Sequence, residues 1–237
     1  MFIYQEKGGY CYNSDTLFLY DFISKKDIRG NMLDIGCGCG ILGLLIKENF
    51  DISLSGIDIQ KNNIIISKVN AKNNNLKSKF ICDNFLEYEF NEKFDYIVAN
   101  PPFYRGTSKQ STNLSKKISR FNSNLPVEDF IKKSNSLLKP RGELIFCYDV
   151  GHFQDIVYLL RKYKLNLEEI RFIHPKLDKN ATIVLIRSKK SSKSMVKCLP
   201  PLVTHKNDIF SKEVTDIYKK INLKSLKCEM EIGEKLE

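Results

Sequence analysis

The chain lacks most of the features that would sort it at once. No apolar run approaches the ~18 residues a membrane helix needs, so no span is expected. The opening, MFIYQEKGGYCYNSD, has no apolar stretch behind a basic start, so no secretory signal is expected either. Its 7 cysteines, at 11, 37, 39, 82, 147, 198 and 228, form no Cys-x-x-Cys pair. No histidine stands at metal-finger spacing from any of them. No metal is therefore expected, and the thiols read as reduced in a cytoplasmic protein. His152, His174 and His205 have no serine or carboxylate at a telling spacing, and none is assigned to catalysis. With 12 glycines and 7 prolines the chain carries no collagen-like or linker-like bias. It is also short of acid: 28 Asp and Glu stand against 38 Lys and Arg, a net charge of +10. Such an excess favours polyanionic partners, nucleic acid among them. Lysines scattered singly over solvated faces produce the same sum.

What is present is ordinary for a folded protein, with 42% hydrophobic and 28% charged residues over 237 positions. Residues 32–36 read as a short buried strand, followed by a glycine turn and an apolar-faced helix. A second strand covers 52–59. The helix after it carries Ile65, Ile66 and Val69 at helical spacing and ends in an asparagine cluster. Strands follow at 77–83 and 94–100. Residues 101–126 read as a long loop. Val127, Phe130, Ile131, Ser134, Leu137 and Leu138 mark an amphipathic helix that Pro140-Arg141-Gly142 stops. A fifth strand covers 143–150, a helix includes Phe153 to Leu160, and two closing strands lie within 167–173 and 181–188. Alternation of strand and helix, ending in a strand pair, predicts an α/β fold. Its seven-stranded, mostly parallel sheet has helices on both faces and one antiparallel strand. Residues 1–188 are expected to form one domain, with the aromatic segment 1–30 packing on it. Residues 189–237 are expected to form a basic linker and an appendage, with a short helix starting near Ser211.

The sharpest element is Asp34-Ile35-Gly36-Cys37-Gly38-Cys39-Gly40 at the end of the first predicted strand. In an open α/β sheet this turn faces the ligand crevice. A dinucleotide fingerprint would need glycine where Ile41 stands, and a P-loop is absent. Asp-x-Gly-x-Gly-x-Gly resembles the S-adenosylmethionine (SAM) loop of Rossmann-like methyltransferases. Asp58, closing the second strand, can accept hydrogen bonds from both ribose hydroxyls, with Ile59 beside it; it can equally serve as a helix N-cap. Asp83-Asn84-Phe85 follow the third strand. In the methyltransferase pattern an acid there meets the adenine amino group of SAM; otherwise Asp83 is a turn residue.

Asn100-Pro101-Pro102-Phe103 ends the fourth strand, in the same crevice. It resembles the N-P-P-[FY] motif of methyltransferases acting on planar NH₂ groups, adenine N6 or glutamine amide nitrogen. Such a nitrogen has its lone pair delocalised and is a poor nucleophile. The Asn100 side-chain oxygen and the Pro101 carbonyl can accept its two N–H bonds and aim it at the sulfonium methyl. The prolines hold these acceptors rigid, and Phe103 can stack on a base. Beyond the motif, Arg105, Lys109, Lys116, Lys117 and Arg120 give a basic loop suited to phosphates. Lys189, Lys190 and Lys193 form a second such run. Both also read as plain solvated surface.

In this order the motifs resemble bacterial tRNA adenine-N6 methyltransferases of the type that modifies adenosine 37 of a valine tRNA. Residues 7–16, containing Gly9-Tyr10-Cys11-Tyr12 and Asp15-Thr16, are similar to that family's opening, which folds over SAM. Pro200-Pro201-Leu202-Val203 and the stretch from Phe210 to Tyr218 resemble its tail. Ser119-Arg120-Phe121-Asn122 departs from the Arg-His-Glu-like stretch of the family. The resemblance implies a Rossmann-like class I methyltransferase that binds SAM through Asp15, Thr16, Asp34, Gly36, Cys37, Gly38, Gly40, Asp58, Ile59, Asp83, Asn84, Phe85 and Asn100. It implies release of S-adenosylhomocysteine and the anticodon stem-loop of a tRNA as partner, with a monomeric enzyme expected. Two alternatives stay open: a protein glutamine N5-methyltransferase, and a SAM- or RNA-binding module without catalysis.

Overall fold

The computed structural model describes residues 1–7, 12–101 and 125–228. Seven strands build the main sheet: β2 (Gly30–Ile35), β3 (Ile52–Asp58), β4 (Lys79–Cys82), β5 (Phe94–Ala99), β6 (Leu138–Asp149), β7 (Leu165–His174) and β8 (Ile183–Lys190). Their order is β4-β3-β2-β5-β6-β8-β7. Every neighbouring pair from β4 to β6 is parallel, and β8 runs antiparallel to both β6 and β7. Met32 to Ile35 in β2 and Gly142 to Tyr148 in β6 are buried without alternation. Strands of that kind are covered on both faces. The expected α/β architecture, including its one antiparallel strand, is what the chain adopts.

The strand order reverses at β2. From there β3 and β4 extend one way, and β5 and β6 the other. The crevice beyond the carboxyl ends of β2 and β5 is therefore the place where such a sheet binds its ligand. Six helices connect or cover the strands among the described residues: α1 (Ser14–Ile23), α2 (Ile41–Asn49), α3 (Lys61–Asn73), α4 (Val127–Leu137), α5 (Phe153–Lys162) and α6 (Lys212–Ile221). None is long and apolar enough to cross a membrane.

The structure departs from the sequence reading in four places. First, the inward face of α3 is only partly the expected one. Ile66 is buried as expected, but Val69 is 42% exposed, while Ile64, Ser67, Asn70 and Ala71 are buried. The asparagines hold a strand that periodicity does not reveal, β1 (Phe2–Glu6). Asn70 accepts the Tyr4 N–H at 2.8 Å and donates to the carbonyls of Tyr4 at 3.0 Å and Cys39 at 2.9 Å. Asn74 likewise accepts the Phe2 N–H and donates to the Phe2 carbonyl. Second, β1 pairs in parallel with β13 (Lys224–Cys228), 200 residues away in sequence and more. Third, β6 begins at Leu138, directly after α4, so Pro140-Arg141-Gly142 forms a bulge inside the strand. There the register with β5 shifts, and Arg141 takes φ 64°. Fourth, the segment read as linker adds two-residue strands β9 (Lys197–Cys198) and β10 (Leu202–Val203) to the edge of β7. A hairpin of β11 (His205–Lys206) and β12 (Ile209–Phe210) follows. Its turn residues Asn207 and Asp208 take φ 49° and 64°, as a two-residue hairpin turn requires. Ser211 then caps α6 by accepting the Val214 N–H.

Removing Asn70 takes away three hydrogen bonds to the backbone of Tyr4 and Cys39. Asn70→Ala is expected to lower stability by about 2–4 kcal/mol in denaturant unfolding. A loss under about 1 kcal/mol would mean that water replaces all three bonds.

Candidate cofactor and acceptor site

A cleft of about 1020 Å³, counted out to its open mouth, lies at the reversal point. The glycine turn after β2 forms its floor. Gly36 and Gly38 take φ 65° and 54°, and nothing stands within 4 Å of where a Cβ would be. The backbone is thus bare toward the cleft and held in a conformation that L side chains rarely adopt. Gly40 has another task. Its missing Cβ leaves room for Ser67, Leu44 and Phe80, so it serves packing of α2 and does not line the cleft.

Asp58 ties two loops together. Its Oδ2 accepts the Gly38 N–H at 2.9 Å and its Oδ1 accepts the Gln60 N–H at 2.8 Å. It is not the N-cap of α3, since Gln60 holds that position without a side-chain bond. The Asn63 side chain gives Asp58 a third bond, which leaves the carboxylate acceptor capacity for a ligand hydroxyl. Burial raises the Asp58 carboxyl above its ordinary range, against the bonds from Gln60, Gly38 and Asn63. Asp34 lies beneath the turn and accepts the Gly43 N–H at 3.0 Å. Burial, with a contribution from the charge of Asp58, pushes its pKa up to about 7, against that bond. Burial also pushes the Cys37 thiol well up, so it stays protonated. The described lining carries these two acids and Asp83 but neither Lys nor Arg. A pocket of buried carboxylates without a cation suits a ligand that brings positive charge and hydroxyl donors. SAM has both, on its sulfonium and ammonium and on its ribose, and the bare glycine turn leaves space for it.

On the β3–β4 side, Ile59, 49% exposed, projects at the rim. Asp83 is exposed; its N–H donates to the Asp58 carbonyl at 3.1 Å and its Oδ1 accepts the Asn84 N–H at 2.7 Å. It is thus a turn residue that also lines the cleft. Asn84 and Phe85 line it too, with the Phe85 ring buried against Phe90 and Phe130. Sequence reasoning missed Leu42, Ile57, Gln60, Asn63 and Leu125 in the wall. Leu42 could have been found, since the first turn of the helix after a glycine loop must face the same crevice.

The opposite wall is Asn100-Pro101, with Thr16 and Tyr12. Asn100 donates from Nδ2 to Thr16 Oγ1 at 2.9 Å, and its Oδ1 accepts the Cys147 S–H at 2.9 Å. Asp15 is not in the cleft lining; its carboxylate accepts from Asn13 at 2.6 Å, and burial raises its pKa to about 6. Pro102, Phe103, Arg105, Lys109, Lys116, Lys117 and Arg120 lie outside the described residues.

The second basic run sits elsewhere. Asp149, at the crevice end of β6, pairs with Ile183, whereas Lys189 pairs with Glu143 six residues earlier, about 20 Å down the strand. Lys189 is bound to Glu143 at 2.8 Å, next to the buried Arg187–Glu143 pair. Lys190 donates to the carbonyls of Asn135 and Leu138 at 2.7 and 3.0 Å. Both ammonium groups hold the fold at the edge remote from the cleft. Lys193 is exposed in the segment that leaves the same edge, where Asn166 holds the Ser194 carbonyl. The structure therefore does not bring this run to the cleft.

The family pattern described as "Methyltransferase small domain" matches residues 12–163. Among curated relatives, the chain is similar to the ribosomal RNA small subunit methyltransferase C of Photorhabdus laumondii. The two are 33% identical over 120 residues, which is 50% of this chain and 31% of that protein. It is 26% identical over 165 residues to a tRNA1(Val) (adenine(37)-N6)-methyltransferase of Aliivibrio fischeri, 68% of this chain and 70% of that one. Against a release factor glutamine methyltransferase of Buchnera aphidicola it is 32% identical over 172 residues, 66% of this chain and 59% of the other. It thus spans about a third of the first of these relatives. In fold it superposes on a predicted O-methyltransferase of Agrobacterium tumefaciens with TM-score 0.68 at 15% identity, over 90% of this chain and 99% of that one.

Proposed function

Because the chain belongs to the methyltransferase small domain family, we propose that it is a cytoplasmic enzyme methylating the exocyclic N6 of an adenine in tRNA, adenosine 37 beside the anticodon. One observation carries the reading. The Asn100-Pro101 turn ends β5 directly across the reversal point from the bare glycine turn, and Asn100 is pinned on both sides of its amide.

Gly36, Gly38, Asp58, Ile59 and Asp83 would hold SAM, which when bound would supply a methyl on a positively charged sulfur with a neutral thioether as leaving group. The chain's part is alignment. The free lone pair of Asn100 Oδ1 and the carbonyl of Pro101 accept the two N–H bonds of the acceptor and turn its nitrogen lone pair toward the methyl. Phe103 is the residue assigned to stack on the base. No general base is needed, since the nitrogen becomes cationic on methylation and then loses a proton to water. A base in an RNA loop is already partly unstacked, so its extrusion costs less than from a duplex. The net charge of +10 and the adenine-N6 relatives support an RNA acceptor.

The similarity to release factor glutamine methyltransferase keeps a second reading, a protein glutamine N5-methyltransferase. The two separate in one experiment. The protein is incubated with methyl-labelled SAM and either total tRNA or a protein fraction, at rising salt. Label in RNA, with binding that falls steeply as salt rises, is the expected result. Label in protein alone would put the second reading first.

A further inference from the structure

A chain of hydrogen bonds with a fixed direction runs through the acceptor wall. At one end is a carboxylate, which only accepts when ionised. Asn13 Nδ2 donates to Asp15 Oδ2 at 2.6 Å. That turns Asn13 Oδ1 to the start of α1, where it caps the helix by accepting the Thr16 N–H at 3.3 Å. The Thr16 hydroxyl donates to the same Asn13 Oδ1 at a long 3.5 Å. Its lone pairs then face Asn100, whose Nδ2 donates to Thr16 Oγ1 at 2.9 Å. The amide oxygen of Asn100 is left on the other side, where the Cys147 S–H donates to it at 2.9 Å. Every donor in the series points from Cys147 toward Asp15.

The sheet register explains the last link. Ala99 pairs with Phe146, so the next residues, Asn100 just past the end of β5 and Cys147 two residues before the end of β6, stand side by side. Cys147 is 0% exposed, and burial raises its thiol well above the ordinary value. It therefore remains a donor across the physiological range. An Asn100 amide turned by half a rotation would put its NH₂ on the Cys147 sulfur, a weak acceptor, and would need the Thr16 hydroxyl to turn from Asn13 to the amide oxygen. The observed orientation is the one that uses the S–H as donor and keeps the Thr16–Asn13 bond.

We propose that Cys147 is a positioning residue: its S–H, with Thr16 on the opposite side, locks the Asn100 amide with Oδ1 presented to the acceptor nitrogen. This deepens the proposed function and rests on it for the identity of the acceptor. It also gives a polar task to a cysteine that is otherwise one of the fully buried residues of the core.

The test compares Cys147→Ser, which keeps a donor, with Cys147→Val and Cys147→Ala, which remove it. Turnover and KM for SAM and for tRNA are measured, with thermal melts to confirm folding. The donor-less variants are expected to lose about 10- to 100-fold in kcat, with KM for SAM unchanged, and Cys147→Ser to stay within about threefold. Wild-type kcat in folded Cys147→Val and Cys147→Ala would overturn the proposal, as would equal loss in all three. A second measurement does not depend on the acceptor or on turnover. Asparagine-selective ¹⁵N labelling resolves the Asn100 side-chain NH₂ signals, assigned by their absence in Asn100→Ala. These signals are expected to move or broaden in Cys147→Val and to return toward wild type in Cys147→Ser. Unchanged signals in Cys147→Val overturn the locking role. Full tRNA methylation by Asn100→Ala would instead remove the functional reading, while the NMR result still judges the lock.

Discussion

Asn100→Ala lowers methyl transfer by about 100- to 1000-fold while leaving affinity for SAM within about threefold. The scale is that of removing one aligned polar group from a reacting centre. The direction follows from position. Asn100 faces the cleft from the β5 side, whereas the cradle of bare backbone and carboxylate belongs to β2 and β3. A planar NH₂ nitrogen reacts only when it is held with its lone pair on the methyl, so the lost acceptor appears in kcat. Calorimetric binding of S-adenosylhomocysteine together with single-turnover transfer separates the two quantities. Near-normal turnover in the folded variant contradicts the assigned role. A large fall in cofactor affinity would move Asn100 to the cofactor side.

Asp58→Ala produces the opposite pattern. Loss of hydrogen bonding from a ligand hydroxyl to a charged acceptor, about 1.5–3 kcal/mol, weakens SAM binding by about 10- to 100-fold. The Gly38 N–H loses its anchor at the same time. Stability without ligand is expected to change little. The buried carboxylate is held in its charged form at a cost that the variant relieves, offsetting the two lost backbone bonds. Calorimetry with S-adenosylhomocysteine and a thermal melt check both halves. Affinity within threefold of wild type means that the ribose is held by other groups.

The motifs at strand ends were legible because loops at the carboxyl edge of an open parallel sheet converge whatever the details of the helices. Gly36, Gly38, Asp58, Asp83 and Asn100 were placed on one crevice by the alternation of strand and helix together with the resemblance to methyltransferase motifs, and they line one cleft. What was illegible depended on single polar contacts or on distant pairing. Asn70 and Asn74 on α3 hold β1 by side-chain amides, so the inward face carries little apolar signal, and Val69 was misplaced. The partner of β1 arrives with residues 224–228, and no local pattern announces it. Two-residue strands such as β9 and β10 have no period to detect. Lysine runs give charge without direction: only the antiparallel register of β8 shows that Lys189 and Lys190 sit at the far edge, closed on Glu143 and on backbone carbonyls. The link between Cys147 and Asn100 was equally hidden, because it follows from the register of β5 on β6.

The most direct test is to let the protein transfer labelled methyl from SAM to total tRNA, digest the RNA to nucleosides and identify the labelled one. Label in N6-methyladenosine is the result expected from a planar NH₂ nitrogen held by Asn100 and Pro101. Label on a ring nitrogen, a carbon or a ribose oxygen would contradict it, because none of those acceptors offers two N–H bonds for Asn100 and Pro101 to accept.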